Sequence, residues 1–142
     1  MLTKFFTGRI NRKQYISYYA ATIVVASLLI IGICVMTGLT DPAAIDNMGG
    51  DEIPSSIAIP ANTVSLITLI LGFSFDIRRF HDLDRPTSWA VVPLVLGGVN
   101  LLPIFDGMNL GTYILSGVQI AIFLYLCIAK GTQGDNEYGV EP

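Results

Sequence analysis

A cluster of ionisable side chains lies in the middle of an otherwise apolar chain. It falls within residues 78–85 and comprises Arg78, Arg79, His81, Asp82, Asp84 and Arg85. A histidine next to an aspartate has the side chains of an acid–base pair, but adjacent helical positions point about 100° apart, so His81 and Asp82 are not expected to touch. The chain has one histidine, and no serine or cysteine nucleophile lies in a supporting motif. Catalysis by His81 and Asp82 is therefore an alternative hypothesis and not the favoured one.

The arginines of this cluster favour anion binding. A guanidinium offers a planar fork of donors that matches a phosphate. The distribution of charges along the chain predicts that Arg9 and Arg12 lie at the same membrane face as this cluster. His81 would orient the ligand as a hydrogen-bond donor, and Asp82 would hold an arginine when no ligand is bound. An anionic phospholipid headgroup is the expected ligand. The predicted anion- or lipid-binding residues are Arg9, Arg12, Arg78, Arg79, His81 and Asp82.

A purely structural role for the arginines is also open. In that case they set the membrane topology, and Asp76, Asp82 and Asp84 neutralise them. The carboxyl-terminal tail has the glycines of a phosphate-binding loop but not its spacing. We expect it to fold back on the bundle as a turn-rich plug in which Asp135 or Glu137 meets an arginine.

Metal and cofactor sites are not predicted. The acidic residues Asp46, Asp51 and Glu52 lack the spacing of an EF-hand calcium loop. Cys34 and Cys127 have no partner at metal-binding spacing, and their expected positions near opposite membrane faces disfavour a disulfide. We expect no metal, no cofactor and two free thiols.

The composition indicates a membrane protein. Of the 142 residues, 52% are apolar and 13% are charged, a ratio that does not suit a water-soluble domain. The stretches 14–40, 53–75, 87–105 and 107–129 contain no Asp, Glu, Lys or Arg. At about 1.5 Å per residue, each is long enough to cross a hydrocarbon layer of roughly 30 Å. We predict one all-α transmembrane domain over residues 1–142, with four spans at about 15–38, 57–76, 89–105 and 112–129.

The charges divide according to loop. All eight Lys and Arg residues lie before the first span, in the middle loop (77–88) or in the tail (130–142). The charged residues of the first and third loops are all acidic. The positive-inside rule then places both termini and the middle loop in the cytoplasm. No ionisable residue is expected at mid-depth within the spans, which disfavours active transport by this chain alone.

Amide side chains are informative at two places. Asn11 and Gln14 have the spacing of a capping box, which predicts the start of the first helix after a short amphipathic arm (1–10) in the headgroup region. Asn100 and Gln119 lie at similar depth in the third and fourth spans. Since an unpaired amide is costly in lipid, we expect these two to face each other or to share a water.

The second helix should extend beyond its apolar stretch. Phe73, Ile77 and Phe80 repeat at helical spacing, so the helix is expected to continue past Phe75 and to stop before Pro86. This extension carries the ionisable cluster on a helix end at the membrane surface.

Three stretches together resemble a known family. They are Phe6-Thr7-Gly8-Arg9 with Arg12, then Arg78-Arg79-Phe80-His81-Asp82, then Lys130-Gly131-Thr132 with Gly134-Asp135-Asn136 and Tyr138-Gly139. In order and spacing they resemble the small bacterial inner-membrane proteins of the YhaH type, a family of unknown function, over nearly the whole chain. The resemblance implies a multi-pass protein of the bacterial inner membrane and implies no activity. One turn departs from the family, because Asp84-Arg85-Pro86-Thr87-Ser88 and a single Trp89 stand where the family has a glycine- and serine-containing turn into a Trp pair.

We therefore expect a non-enzymatic integral membrane protein whose cytoplasmic face binds anionic phospholipids or a partner. The partner would be another membrane protein or a second copy of the chain, and nucleic acid is not an expected partner. Two other classes stay open. A component of a small-molecule transporter or channel would assemble around a polar pore, and a membrane-embedded enzyme would depend on His81 and Asp82.

Single cysteines placed near Gly49, Asp106, Arg85 and the carboxyl end test the predicted orientation. In a background without the two native cysteines, a membrane-impermeant thiol reagent applied from outside should label only the first two positions. The reason is that the positive-inside rule puts the other two in the cytoplasm. Labelling near Arg85 from outside would contradict the topology.

Overall fold

The computed structural model describes residues 6–38, 55–99 and 110–142 of the chain. Within these ranges the secondary structure is helical apart from one isolated β-bridge in the tail. The α-helices are α1 (Arg12–Met36), α2 (Ser55–Asp82), α3 (Val91–Val99) and α4 (Leu110–Ile128), and a 3-10 turn (Thr87–Ala90) leads into α3. Helices α1, α2 and α4 are long and apolar enough to cross a membrane. The predicted all-α class is thereby confirmed, and three of the predicted spans correspond to helices of sufficient length and apolarity to cross a membrane.

The third predicted span is described only in part. Its helical segment, Thr87–Val99, is apolar but shorter than the other three. Residues 100–105 lie outside the described ranges, and so the expected contact between Asn100 and Gln119 stays a prediction. Pro93 falls in the first turn of α3, where its missing N–H costs little because first-turn N–H groups have no partner within their own helix.

The predicted start of α1 is confirmed, and the arm before it contacts α2. Asn11 Oδ1 accepts from Gln14 N at 2.9 Å, and Asn11 N donates to Gln14 Oε1 at 3.0 Å, so the capping box is confirmed. The described part of the arm, residues 6–10, packs on α2, and the expected location of the arm in the headgroup region stays a prediction. Ile10 is fully buried, and its N–H donates to Arg78 O at 3.2 Å. The arm takes this path because α2 offers it both a backbone acceptor and an apolar surface.

Buried apolar side chains gather at one end of the bundle. They are Ile10, Tyr15, Ile77, Phe80, Ala90 and Leu126. Along the rest of α1, large apolar side chains are exposed, for example Val25 at 56% and Ile31 at 58%. Lipid tails, and not water, are the natural surroundings of such a surface. We call the packed end, where the arm, the end of α2 and the tail meet, the polar end, because it also holds the buried charges.

Helix α2 ends in a Schellman motif. Arg85 N donates to Phe80 O at 2.9 Å, and Asp84 N donates to His81 O at 3.1 Å. Between these bonds Asp84 adopts a left-handed conformation with φ 57°. Glycine is the usual residue at such a position, because a Cβ atom is strained there. The helix itself reaches Asp82 and so extends beyond the apolar stretch, as the sequence predicts.

Asp84→Gly should raise the free energy of unfolding by about 1 kcal/mol relative to Asp84→Ala. Both substitutions remove the carboxylate, and only glycine relieves the left-handed backbone. The measurement is reversible unfolding in mixed detergent and dodecyl sulfate micelles, followed by circular dichroism. Equal stability of the two variants would show that this turn carries no strain at Asp84.

Candidate functional site

The centre of the polar end is the carboxylate of Asp82, which lies between two arginines. Arg9 donates to Asp82 Oδ1 through Nη2 at 3.1 Å and through Nε at 3.3 Å. Arg79 Nη1 forms an ion pair with Oδ2, which the three-residue spacing on α2 allows. The side chains of both arginines are fully buried, and that of Asp82 is 4% exposed. One buried anion therefore serves two buried cations.

Arg79 also closes the end of α4. Its Nε donates to Leu126 O at 2.9 Å, and its Nη2 donates to Ala129 O. These carbonyls belong to the last turn of α4 and the residue after it, where carbonyl groups lack partners within the helix. Nη1 donates in addition to Ile10 O at 3.3 Å. All three nitrogens of this guanidinium are thus engaged by the protein itself.

Arg9 forms hydrogen bonds to the tail. Its Nη1 donates to Gly134 O at 2.7 Å and to Gly139 O at 3.3 Å. Its Nη2 donates to the backbone oxygen of Thr132 at 2.7 Å and to the hydroxyl oxygen of the same residue at 3.0 Å. Together with the bonds to Asp82, these contacts engage every nitrogen of the Arg9 guanidinium.

The tail approaches the end of α2 closely. Thr132 N donates to Asp82 O at 2.8 Å, and Asn136 Nδ2 donates to His81 O at 2.9 Å, so the tail satisfies two carbonyls at the helix end. A Cβ atom on Gly131 would lie 2.1 Å from Asp82 Oδ2, which explains the glycine at this position.

The predicted fold-back of the tail is confirmed, but the predicted ion pair is wrong. Among the described residues, both ion pairs involve Asp82. Asp135 Oδ1 instead accepts from Glu141 N at 3.2 Å, within the tail. Arg9 contacts carbonyl groups of the tail. The turns of the tail point these carbonyls inward, while the carboxylates of Asp135 and Glu137 stay exposed to solvent.

His81 holds the arm and the following turn together. It is 5% exposed; Nδ1 lies 3.2 Å from Gly8 O, and Nε2 lies 2.9 Å from Thr87 Oγ1. Because a carbonyl oxygen can only accept, Nδ1 carries a proton, and in the neutral ring Nε2 accepts from the threonine hydroxyl. Tyr138 stacks on the imidazole with a centroid distance of 4.1 Å and an interplanar angle of 6°. A hydrogen bond to the Glu137 carboxylate raises the pKa of the Tyr138 hydroxyl, so this ring is neutral.

The structure brings together four of the six residues that the sequence predicts for an anion site. These are Arg9, Arg79, His81 and Asp82. Arg12 is exposed and, together with Arg79, Asp82 and Lys130, lines a cavity of about 230 Å³ beside this group. Arg78 points to another face, where its guanidinium lies 6.0 Å from the centre of the Tyr18 ring. The four predicted arginines therefore do not form a single basic site.

Sequence reasoning missed a second polar cluster, between α1 and α2. Asp76 is 4% exposed, and its Oδ1 accepts from Tyr15 Oη at 2.8 Å and from Tyr19 Oη at 2.9 Å. From the sequence, Asp76 is expected to neutralise an arginine. The signal that was available is the four-residue spacing of the tyrosines, which aims both hydroxyls at one point on the facing helix.

Metal coordination has no support at either cluster. The described residues contain no group of three or more His, Cys, Asp and Glu side chains that could hold a metal ion. Cys34 and Cys127 are free thiols.

Comparison with known proteins identifies one family model. It is described as a protein of unknown function (DUF805) and matches residues 4–140. No curated protein and no solved structure matches the chain.

Asp82→Asn should destabilise the polar end by about 3–5 kcal/mol, because it leaves two buried guanidiniums without a counter-charge. Unfolding in mixed micelles would measure the loss, and faster proteolysis of the tail would locate it. Asp84→Asn removes the same charge from an exposed position two residues away and should change stability by less than about 0.5 kcal/mol. Equal effects of the two substitutions would contradict a structural role for the Asp82 carboxylate.

Proposed function

The chain belongs to the DUF805 family of unknown function, and from its own geometry we propose that it is a non-enzymatic membrane protein that binds anionic phospholipid headgroups at Arg78. The binding surface would lie at the polar end, on the outer side of α1 and α2. The observation that carries the proposal is a half-buried guanidinium whose Nε atom is buried and meets no hydrogen-bond partner in the described part of the chain.

The proposed topology has four spans in a bacterial inner membrane, with both termini and the polar end in the cytoplasm. Helices α1, α2 and α4 supply three apolar elements of sufficient length. The apolar segment Thr87–Val99 would form the fourth span together with the apolar residues that follow it in the sequence. The separation of basic from acidic loops supports this orientation.

Internal bonding distinguishes the arginines from one another. Arg9 and Arg79 direct all their nitrogens to oxygens of the protein, so their forks are not available to a ligand. Arg78, next to Arg79 in sequence, points about 100° away around the helix and escapes that network. Of the predicted set, the proposal therefore keeps Arg78 as the principal donor to a phosphate.

The surroundings of Arg78 suit a lipid ligand better than a soluble one. Tyr18, whose ring faces the guanidinium, is 37% exposed, and its ring packs on Phe75 with a centroid distance of 5.5 Å. An arginine beside aromatic rings at the end of an apolar helix can place its stem along acyl chains and its charge among headgroups. Arg12 and Lys13 are exposed at the same end of α1 and add positive potential toward an anionic leaflet.

His81 and Asp82, on which an enzymatic function would depend, form hydrogen bonds within the protein. Both ring nitrogens of His81 and both carboxylate oxygens of Asp82 have partners in the protein. An acid–base pair needs at least one group within reach of a substrate. This arrangement supports the non-enzymatic proposal.

Arg78→Gln should weaken binding of phosphatidylglycerol or cardiolipin by about fivefold, since one basic residue at an anionic surface contributes about 1 kcal/mol. Native mass spectrometry of the protein released from mixed-lipid nanodiscs would count the retained anionic lipids. Arg78→Lys keeps the charge but loses the planar fork, so the amount of anionic lipid that it retains should lie between those of the unmodified protein and Arg78→Gln. The difference should shrink at high salt.

Arg85→Gln is the matched control, because Arg85 also lies beside an aromatic ring, with its guanidinium 5.3 Å from the centre of Trp89. It should retain more anionic lipid than Arg78→Gln. Equal losses in both variants would mean that only the overall surface charge matters and would overturn a site at Arg78. Unchanged lipid retention in Arg78→Gln would overturn it as well.

A further inference from the structure

Asp76 is a buried carboxylate that has no counter-charge among the described residues. It lies in α2 at a point that the tail and the arginines of the polar end do not reach, and 4% of it is exposed. Oδ1 accepts from the hydroxyls of Tyr15 and Tyr19. Within the described ranges, both ion pairs use Asp82, and the two tyrosine hydroxyls both donate to Oδ1 of Asp76 and not to Oδ2. A buried carboxylate in this position is costly unless a cation or further donors compensate it.

A cavity of about 340 Å³ adjoins this carboxylate. Its walls come from α1, α2, α3 and α4 and include Tyr19, Thr68, Phe73, Asp76, Gly97 and Gln119. The volume lies in the range of small-molecule sites, as does the combination of an apolar lining with a few polar groups. The cavity is formed by the packed helices themselves and not by the tail.

Gln119 adds an unsatisfied acceptor at the cavity. Its side chain lines the space, and its Oε1 atom is buried without a hydrogen-bond partner in the described part of the chain. Buried amide oxygens normally have a donor, and leaving one without costs free energy. Within the described residues, the site therefore presents an amide oxygen without a donor beside a carboxylate without a counter-charge.

We infer that this cavity binds a small organic ammonium ion, with its N–H groups donated to Asp76 Oδ2 and toward the Gln119 amide. Such a ligand supplies both the positive charge and the donors that the site lacks. Phe73 and Tyr19 offer aromatic faces, which attract organic cations, and the remaining wall is apolar enough for a hydrocarbon substituent. A metal ion fits less well, because a single carboxylate among apolar groups is a poor ligand set.

This inference goes beyond the proposed lipid binding and rests on other residues. The lipid surface uses Arg78 on the outside of the bundle, whereas the ammonium site uses Asp76 between the helices. Either can fail without the other. Nanodiscs of phosphatidylcholine alone keep the two apart, since they contain no anionic lipid that would attract a cation.

The test uses the full chain in such nanodiscs and two probes, phenethylammonium and its neutral analogue 2-phenylethanol. Isothermal titration calorimetry should give saturable binding of the ammonium, about tenfold or more tighter than that of the alcohol. Asp76→Asn keeps the shape of the side chain and an acceptor for the tyrosines but removes the charge. It should abolish the preference for the ammonium. Asp135→Asn removes the same charge from the exposed tail and should bind both probes as the unmodified protein does.

A second measurement needs no variant and so does not depend on the folding of Asp76→Asn. A hydrophobic carbodiimide modifies protonated carboxyl groups in apolar surroundings, and peptide mass spectrometry follows the modification of Asp76. The ammonium should slow this modification severalfold, whereas the alcohol should not. The inference is overturned if the ammonium does not bind saturably, if the alcohol binds or protects equally, or if the preference survives Asp76→Asn.

Discussion

The carboxylate of Asp82 is shared by two fully buried guanidiniums, and the geometry of the polar end depends on this sharing. One negative charge does not balance two positive ones, and the remainder is met by backbone dipoles. Arg79 donates to the carbonyls at the end of α4, and Arg9 donates to carbonyls of the tail. Helix C-termini carry partial negative charge, so they stabilise cations placed against them. The polar end is thus a closed electrostatic unit that joins the arm, α2, α4 and the tail.

This unit accounts for the three sequence motifs in the arm, at the end of α2 and in the tail. The arm contributes Arg9, the end of α2 contributes Arg79 and Asp82, and the tail contributes its carbonyls and the close approach of Gly131. In lipid, helices gain little from apolar contact with one another, because the acyl chains are equally apolar. A buried network of ion pairs and hydrogen bonds can supply specificity in its place. The motifs are therefore accounted for by assembly of the fold, and the surfaces available to ligands lie beside them.

Two aspartates six residues apart on α2 illustrate the contrast. Asp82 has two cationic partners, whereas Asp76, roughly 9 Å away along the helix, has only tyrosine hydroxyls among the described residues. The first is a structural element with every oxygen engaged. The second lines a cavity between the helices. A similar contrast separates Arg79, each of whose guanidinium nitrogens donates to an oxygen of the protein, from its neighbour Arg78, which points to the face that carries Tyr18.

The sequence by itself determined the helical class, the start of α1 at its capping box, the extension of α2 beyond its apolar stretch and the fold-back of the tail. These follow from local rules, namely the absence of charge over a membrane thickness, helical periodicity and the chemistry of helix ends. Residue type and topology also indicated that Arg9, Arg79, His81 and Asp82 meet, because they belong to one interface. Only the tertiary structure decided which donors remain open. Arg78 and Arg79 are identical in type and adjacent in sequence, and their different surroundings depend on the rotation of α2 against α1 and α4. The same rotation turns Asp76 toward two tyrosines and not toward an arginine, since the partner of a side chain is set by which helix faces it.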